Sequence, residues 1–462
     1  MIKETRGQGS ETGGFVKPPG GVKDLGETTS TRKSIELLGD CVTPYGFQAA
    51  LPVKDEKVVM ADSAIKGGTN YPNIWSRDGV INGLAALATG DPDLIKCFKS
   101  NLETLARHQD DSGAIPSNVN PTAQASPLER KMFFSSADGE ERFKTSFGGT
   151  VGRIDASTWY IIGVSQYAKH TGDQEFLKKH SQTCGKALGY LRAMETNGKG
   201  MLFVPRGGNW ADEYVIEGYT LYDNALYHQS LKEYTHIAEE TGKDPKPYHG
   251  RAERVRDVIQ NVLWPSKDSD KKFHPGLQKS LNEKARKQGF WKDDYFLGAF
   301  GPGHEFTRFD ALGNFLTIIF GIADEQQTKK ILGHAEGISE NKLGLTPAFH
   351  PVIKEDDPEY LDLKKLESLG FKNHPHQYHN GGIWPMNNGF RVLAEVKAGR
   401  VEEAGKVAWG VEKSVAYGEF GHYEFLDGKT LGLADNARRS QAWSAAGNIM
   451  AKAALAGEKI FK

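Results

Sequence analysis

Apolar residues recur at helical spacing along most of the chain. Val80, Ile81, Leu84 and Leu87 follow the i, i+3, i+4 pattern that places side chains on one face of a helix. The same pattern predicts helices at 94–105, 159–167, 173–193, 220–240, 246–264, 307–322, 325–335, 382–398, 401–417 and 441–456, with a weaker one near 30–40. The sequence therefore predicts about twelve amphipathic helices.

The connections between these helices are of two kinds. Short breaks such as "TGDPD" at 89–93 and "TGDQ" at 171–174 join antiparallel neighbours as helical hairpins. Tracts at 110–153, 199–217 and 265–305 are long, and ordered loops of this length are usually functional. Six hairpins with long loops at one end predict an all-α fold, an (α/α)6 barrel or six-hairpin toroid, whose site is built from those loops.

The domain organisation follows from the same pattern. Residues 1–28 are rich in glycine and poor in large apolar residues, which predicts a flexible N-terminal arm. Residues 29–462 are expected to form a single catalytic barrel domain.

The charge balance and the apolar content of the chain limit the classes of partner that it can bind. Lys and Arg number 58 against 59 Asp and Glu, a net charge of -1, so no polyanionic partner is indicated and nucleic acid is excluded. The longest apolar stretch, "FLTIIFGIA" at 315–323, is too short to cross a bilayer, and the N-terminus lacks the apolar core of a signal peptide. Cys41, Cys97 and Cys184 are expected to be reduced. These features predict a cytoplasmic protein without membrane contact, and they leave a homo-oligomer open.

Several predicted loops combine aromatic residues with carboxylates and amides. They are "NYPNIWSRDG" (70–79), "GGNWADEYVIEGY" (207–219), "WKDDYF" (291–296), "HPHQYHNGGIWP" (374–385) and "HYEFLDG" (422–428). Aromatic rings pack against the C–H faces of a pyranose while charged and amide groups bind its hydroxyls. A single aromatic residue could equally plug a helix end, but the clustering with Asp and Glu favours sugar binding.

Hydrolysis of a glycosidic bond requires two carboxyl groups. Glu424 is one candidate, since its apolar neighbours could desolvate it, although a surface loop acid is the alternative. Asp155, in "GRIDASTWYIIG", begins an apolar helix and could instead serve as a helix cap, which the spacing alone favours.

Further acids and histidines surround these candidates. The rivals of Asp155 as the second acid are Asp78, Asp212 and Glu213. Asp78 follows Arg77, which suggests a paired carboxylate of low pKa that is suited to binding hydroxyls. The histidines of "HPHQYH", among them His379, lack an HExxH or cysteine ligand pattern, so hydrogen bonding to a sugar is favoured over a metal. We expect neither a metal nor a cofactor.

Four segments resemble the six-hairpin glycosidases. They are "FGGTVGRIDASTWYIIGVSQYAKHTGD" (147–173), "RFDALGNFLTIIFGIADEQQ" (308–327), "YHNGGIWPMNNGFRVLAEVKAGR" (378–400) and "YEFLDGKT" through "ARRSQAWSAAGNIMA" (423–451). The chain is most similar to the neutral/alkaline invertases and to the amylo-α-1,6-glucosidase-like debranching proteins.

The resemblance implies an inverting glycoside hydrolase on an (α/α)6 barrel. Asp155 would be the general acid, which we expect an apolar surrounding to keep protonated, and Glu424 would be the general base. Arg77 and Asp78 would help to hold the sugar. The other predicted substrate-binding residues are Trp75, Trp210, Asp212, Glu213, His379 and Trp384.

The loop sequences bear on the substrate. "NWADEYVIEGY" is closer to the debranching type than to the invertase type, which favours an amylo-α-1,6-glucosidase-like enzyme that cleaves small α-glucosides. An invertase-like sucrose hydrolase is the alternative. A sugar epimerase or a carbohydrate-binding protein without catalysis belongs to another class; an isomerised product, or binding without turnover, would identify either one.

Overall fold

The computed structural model describes residues 28–51, 73–133, 142–149, 152–196, 198–264, 294–301, 304–365, 370–434 and 436–462. The predicted arm at 1–28 lies outside the described residues apart from Thr28, as do parts of the tracts at 110–153 and 265–305.

Helices dominate the described residues. They are α1 (Thr29–Asp40), α2 (Ser76–Thr89), α3 (Pro92–Arg107), α4 (Pro127–Phe133), α5 (Ile154–Thr171), α6 (Gln174–Ala193), α7 (Leu221–Glu240), α8 (Lys246–Val258), α9 (Ala311–Ile319), α10 (Glu325–Gly337), α11 (Glu359–Lys364), α12 (Pro385–Lys397), α13 (Val401–Phe420) and α14 (Ala442–Leu455). A π-helical turn, Ile259–Leu263, continues α8. Every helix predicted from the apolar spacing is confirmed, and the short α4 and α11 are additional.

Local sequence signals set several of the helix ends. The Asp91 side chain accepts hydrogen bonds from the first turn of α3, which opens with Pro92. Asp324 and Gln327 form a reciprocal capping box at the start of α10. Gly90 and Gly172 end α2 and α5 in the left-handed conformation that only glycine adopts without steric cost.

Six of the helices pack side by side in a closed ring. The order around the ring is α2, α5, α7, α9, α12 and α14, and α14 packs back against α2. The other long helices pack outside it: α3 on α2, α6 on α5, α8 on α7, α10 on α9, α13 on α12, and α1 on α14. This two-layered arrangement belongs to the (α/α)-barrel class.

The two layers differ in burial. Every residue of α5 from Ile154 to Ala168 is buried, whereas α3 alternates a buried apolar face with an exposed polar one. A helix surrounded by other helices is buried on every face, so the polar side chains of the inner helices, such as Glu233 in α7 and Asn388 in α12, are bonded within the protein.

Short strands occupy the loops at one end of the helices. They are β1 (Val42–Thr43), β2 (Gly46–Phe47), β3 (Ile74–Trp75), β4 (Asn118–Gln124), β5 (Phe143–Ser146), β6 (Tyr219–Thr220), β7 (Ala299–Gly301), β8 (His304–Phe306), β9 (Phe309–Asp310) and β10 (Phe349–His350). They form two- and three-stranded antiparallel sheets in the order β1-β2, β3-β4-β5, β6-β7-β8 and β10-β9. The all-α prediction missed them because two to seven residues are too few for a period-2 signal.

Three inner helices hold the preceding loop in the same way. An asparagine at the fourth position of the helix accepts a hydrogen bond from a loop N–H and donates to the carbonyl of the same loop residue. The pairs are Asn224 with Leu202, Asn314 with Phe296, and Asn388 with Thr346. Each amide also donates to the carbonyl of the residue before the helix. This structural repeat has no counterpart in a repeated stretch of sequence.

We expect Asn314→Ala to lower the free energy of unfolding by about 2–4 kcal/mol, because it leaves the buried N–H and carbonyl of Phe296 without partners. Urea unfolding followed by circular dichroism measures the change. Asn261→Ala, at an exposed position bonded only to its own helical turn, is the control. Equal losses in the two variants would contradict the proposed clamp.

Candidate active site

The predicted site residues lie around the N-terminal turns of the inner helices. Arg77 and Asp78 are in the first turn of α2, and Asp155 is in the first turn of α5. Trp384 immediately precedes α12. Glu424 follows α13 in the loop that leads to α14, and its backbone N–H donates to the Arg438 carbonyl at 2.6 Å. The fold therefore brings segments from opposite ends of the sequence to one end of the ring.

Asp155 forms a buried ion pair with Arg77. The distance from Arg77 Nη1 to Asp155 Oδ2 is 2.6 Å, and the two side chains are 11% and 2% exposed. Tyr222 donates its hydroxyl to the same oxygen at 3.1 Å and accepts the indole N–H of Trp159 at 2.8 Å. These donors stabilise the charged carboxylate, so the expected apolar surrounding of Asp155 is corrected to a polar one.

Asp78 differs from its prediction. The sequence suggested that it pairs with Arg77, but consecutive residues of a helix do not face each other, so Arg77 reaches across to α5 instead. Burial raises the pKa of Asp78 to about 6, although the charge of Arg77 acts in the opposite direction. Asp78 is therefore a weakly acidic buried carboxyl and not the low-pKa group that we expected.

Glu424 is buried, and charges of both signs act on it. Its side chain is almost inaccessible, and this burial raises its pKa to about 7. The positive charges of Lys372 and Arg438 oppose the shift, while the negative charges of Asp78 and Glu213 add to it. A carboxyl group with this pKa can exchange a proton near neutral pH.

The tract "NWADEY" supplies two further carboxylates, each held by a cation from another loop. Asp212 pairs at 2.6 Å with Nη2 of Arg153, which lies two residues before Asp155 in the chain. Glu213 pairs with Lys372 Nζ at 3.0 Å. Both acids are therefore engaged in ion pairs with cations from other segments of the chain.

The predicted sugar-stacking residues are mostly buried. Trp210, His379 and Trp384 are each 1% exposed, and the His379 ring is stacked parallel to Trp384 with centroids 5.2 Å apart. Trp210 meets Trp384 edge to face at 5.5 Å, and Phe425 covers Trp384 at 5.7 Å. Trp210, Trp384, His379 and Phe425 therefore form a packed and buried cluster, whereas we expected Trp210 and Trp384 to be open stacking platforms for a sugar.

Trp75 and His379 complete the predicted set. Trp75 is half-buried in β3, directly before α2, and is the most accessible of the predicted aromatic residues. Burial lowers the pKa of His379 well below its ordinary value, and the charges of Lys372, Arg77 and Arg153 act in the same direction. His379 is therefore neutral at physiological pH.

The structure adds site residues that the sequence did not indicate. Tyr222 and Trp443 contact the Arg77–Asp155 pair, Trp443 lying 5.8 Å from the guanidinium carbon. Asp223, fully buried in the first turn of α7, has its pKa raised to about 8 by burial and by the charge of Asp155. Lys372 approaches Glu213 across 159 residues of sequence. Of these residues, only Asp223 could have been found from the sequence, because carboxylates are favoured in the first turn of a helix.

The described part of the chain bears on metal binding and on membrane insertion. Within it, no group of three or more His, Cys, Asp or Glu residues is arranged to hold a metal ion. None of the described helices combines the length and apolarity of a membrane span.

Sequence relatives identify the family. The alkaline and neutral invertase family matches residues 50–270 and 279–457. Neutral/alkaline invertase 1, mitochondrial, of Oryza sativa subsp. japonica is 25% identical over 471 residues, covering 94% of this chain and 72% of the relative. Cytosolic invertase 1 of the same plant is 25% identical over 503 residues, covering 97% and 85%.

Solved structures share the fold at lower identity. The GH63 mannosylglycerate hydrolase from Thermus thermophilus in complex with glucose has a TM-score of 0.61 at 13% identity, covering 92% of this chain and 99% of that one. A bacterial glucoamylase complexed with acarbose has a TM-score of 0.61 at 15% identity, covering 95% and 57%. These likenesses support the (α/α)-barrel class. From its matched residues, the chain belongs to the alkaline and neutral invertase family and is a glycoside hydrolase.

Proposed function

We propose that this enzyme hydrolyses the α-glucosidic bond of a small saccharide with inversion of configuration. Asp155 delivers a proton to the departing oxygen, and Glu424 takes a proton from the attacking water. The observation that carries the proposal is the buried Glu424, whose pKa of about 7 suits a base that works at neutral and alkaline pH.

Asp155 requires a change of partner in this scheme. Its carboxylate is bound to Arg77 in the free enzyme, whereas a general acid must carry a proton. The Arg77 guanidinium carries five N–H donors, which can bind sugar hydroxyls. We propose that the sugar draws the guanidinium away, which frees the Asp155 carboxyl group to contact the departing oxygen.

Sucrose is the substrate that we favour. The sequence analysis preferred an amylo-α-1,6-glucosidase-like activity, but the named relatives are invertases, which supports the alternative of sucrose hydrolysis. The pairs Asp212–Arg153 and Glu213–Lys372 fix the tract in which this chain departs from the invertase pattern, so this tract is where a different α-glucoside would be selected.

The finer architecture is proposed on the same basis. Twelve of the long helices pair into a six-hairpin toroid, and residues 29–462 form a single catalytic domain.

Inversion requires that the Asp155 and Glu424 carboxyl groups lie roughly 6.5–9.5 Å apart when the substrate is bound, so that water fits between base and sugar. We place the enzyme in the cytoplasm, as its cytosolic relative is.

Glu424→Gln and Asp155→Asn should each reduce the turnover of sucrose on the order of a hundredfold or more, because each removes a proton-transfer group. Release of glucose measures turnover, and circular dichroism checks the fold. Glu419→Gln, an exposed position five residues before Glu424, is the matched control and should retain wild-type turnover. Near-wild-type activity of either site variant would contradict the assigned roles.

The anomer released first tests the stereochemistry. Proton NMR during sucrose hydrolysis should show β-glucose before mutarotation, because water attacks from the face opposite the leaving group. Isomaltose in a parallel reaction tests the amylo-α-1,6-glucosidase alternative. First release of α-glucose would refute inversion, and faster cleavage of isomaltose would refute the preference for sucrose.

The pH dependence should reflect the buried base. Glu424 must be ionised to accept a proton, so kcat/KM should rise as the pH rises through about 7. Below that pH, kcat/KM should be inversely proportional to the proton concentration. Rates measured from pH 5 to pH 9 give this acidic limb. A limb centred near 4.5, the pKa of an ordinary exposed glutamate, would show that Glu424 is not the titrating base.

A further inference from the structure

Two hydrogen-bond donors reach the same oxygen of Asp155. Arg77 Nη1 lies 2.6 Å from Asp155 Oδ2, and the Tyr222 hydroxyl oxygen lies 3.1 Å from that same atom. The other carboxyl oxygen, Oδ1, accepts no hydrogen bond from the part of the chain that the structure describes. The two oxygens of this one carboxyl group are therefore in different surroundings.

The direction of the hydrogen bond from Tyr222 is fixed by a third residue. The indole N–H of Trp159 donates to the Tyr222 hydroxyl oxygen at 2.8 Å, and an indole nitrogen is a donor only. A phenol has a single proton to donate, and Trp159 offers no acceptor for it. The Tyr222 proton is therefore directed to Asp155 Oδ2.

Tyr222 is held more firmly than Arg77. Tyr222 and Trp159 are fully buried, whereas the Arg77 side chain is 11% exposed. Asp155 and Trp159 are four residues apart in α5 and so lie on one face of that helix, and Tyr222 reaches both from the second position of α7. The Tyr222 ring also packs against Trp210, with centroids 6.4 Å apart. If the sugar draws Arg77 away, the Tyr222 hydroxyl stays in place.

A hydrogen bond donated to one oxygen affects where a carboxyl group carries its proton. When Asp155 is protonated on Oδ1, Oδ2 is the carbonyl oxygen and still accepts the hydrogen bond from Tyr222. A proton on Oδ2 would instead face the proton of the Tyr222 hydroxyl, and the hydrogen bond would be lost. Protonation of Asp155 is therefore favoured at Oδ1.

We propose that Tyr222 is a positioning residue of the hydrolytic site, whose hydroxyl holds Asp155 by Oδ2 and so keeps Oδ1 as the oxygen that delivers the proton. This inference rests on the proposed role of Asp155 as general acid.

The proton passes from Asp155 Oδ1 to the departing oxygen. The bond between that oxygen and the anomeric carbon breaks, its electron pair stays on the oxygen, and Asp155 becomes a carboxylate. Water forms the new bond to the anomeric carbon and loses a proton to Glu424. Tyr222 keeps its own proton throughout, because it acts on the substrate only through Asp155.

The experiment compares two leaving groups in Tyr222→Phe, using the full-length enzyme. The fructose of sucrose needs a general acid to depart, whereas the fluoride of α-glucosyl fluoride departs without one. We expect kcat for sucrose to fall about tenfold with KM nearly unchanged, because one hydrogen bond to the acid is lost. Hydrolysis of glucosyl fluoride should change by less than about twofold, since it does not depend on the acid. A merely structural role would slow both substrates alike.

Tyr227→Phe is the matched control. Tyr227 is also fully buried, lies five residues further along α7 and donates its hydroxyl to the carboxylate of Glu195 at 2.6 Å. This variant should retain wild-type rates with both substrates. In the double variant Tyr222→Phe/Asp155→Asn, the loss that Tyr222→Phe causes should disappear, because the two residues act as one unit. Circular dichroism checks that each variant is folded.

Failure of this inference is distinguishable from failure of the proposed function. Suppose that Asp155→Asn loses the hydrolysis of sucrose but keeps that of glucosyl fluoride. The role of Tyr222 is then refuted if Tyr222→Phe slows both substrates alike, slows neither, or adds its loss to that of Asp155→Asn, while the acid assignment stands. If Asp155→Asn itself slows both substrates alike or neither, the acid assignment fails.

A second variant keeps the test decisive if Tyr222→Phe does not fold. Trp159→Phe removes the indole N–H that orients the Tyr222 hydroxyl and leaves an aromatic ring in its place. It should slow sucrose hydrolysis and spare glucosyl fluoride. An equal effect on the two substrates would refute the inference.

Discussion

The fold depends on how its loops are attached to the N-terminal turns of the inner helices, which meet at one end of the ring. Each helix presents unpaired N–H groups and a partial positive charge there. The clamps of Asn224, Asn314 and Asn388 hold loop backbone against these ends through both a donor and an acceptor. The loops are thereby fixed to the helices, and the side chains that they carry can be held in a defined arrangement.

The same helix ends favour the collection of carboxyl groups. Asp78, Asp155 and Asp223 lie in the first turns of α2, α5 and α7, and Asp310 precedes α9. Burial raises the pKa of Asp78, Asp223 and Asp310 to about 6, 8 and 7. Only Asp155 among these four has an arginine of its own, so the fold distinguishes one carboxylate from its neighbours by a single ion pair.

Glu424 belongs to a different class of acid. It lies in the loop between α13 and α14, and most of its neighbouring charges come from segments distant in sequence. Asp155 is bonded to the adjacent inner helices α2 and α7, whereas the pKa of Glu424 is raised first by burial and then changed by the charges of residues such as Lys372 and Glu213.

The buried aromatic rings around Trp384 contribute both to the stability of the fold and to the placement of the loops at the site. Trp384 contacts Trp210, His379, Phe425 and Trp443, and thus connects the loops that carry the acids. Ring packing of this kind contributes to stability and also limits movement of the attached backbone.

The sequence by itself determined the helices, the class of enzyme and the two candidate carboxylates. Apolar spacing is a local property, and the motifs around Asp155 and Glu424 are continuous stretches of chain, so both are visible without coordinates. Only the tertiary structure decided that Arg77 pairs with Asp155 instead of Asp78, that Trp384 is buried, and that Lys372 meets Glu213. Burial and charge pairing depend on residues that are far apart in the chain, and folding alone brings them within a few ångströms of each other.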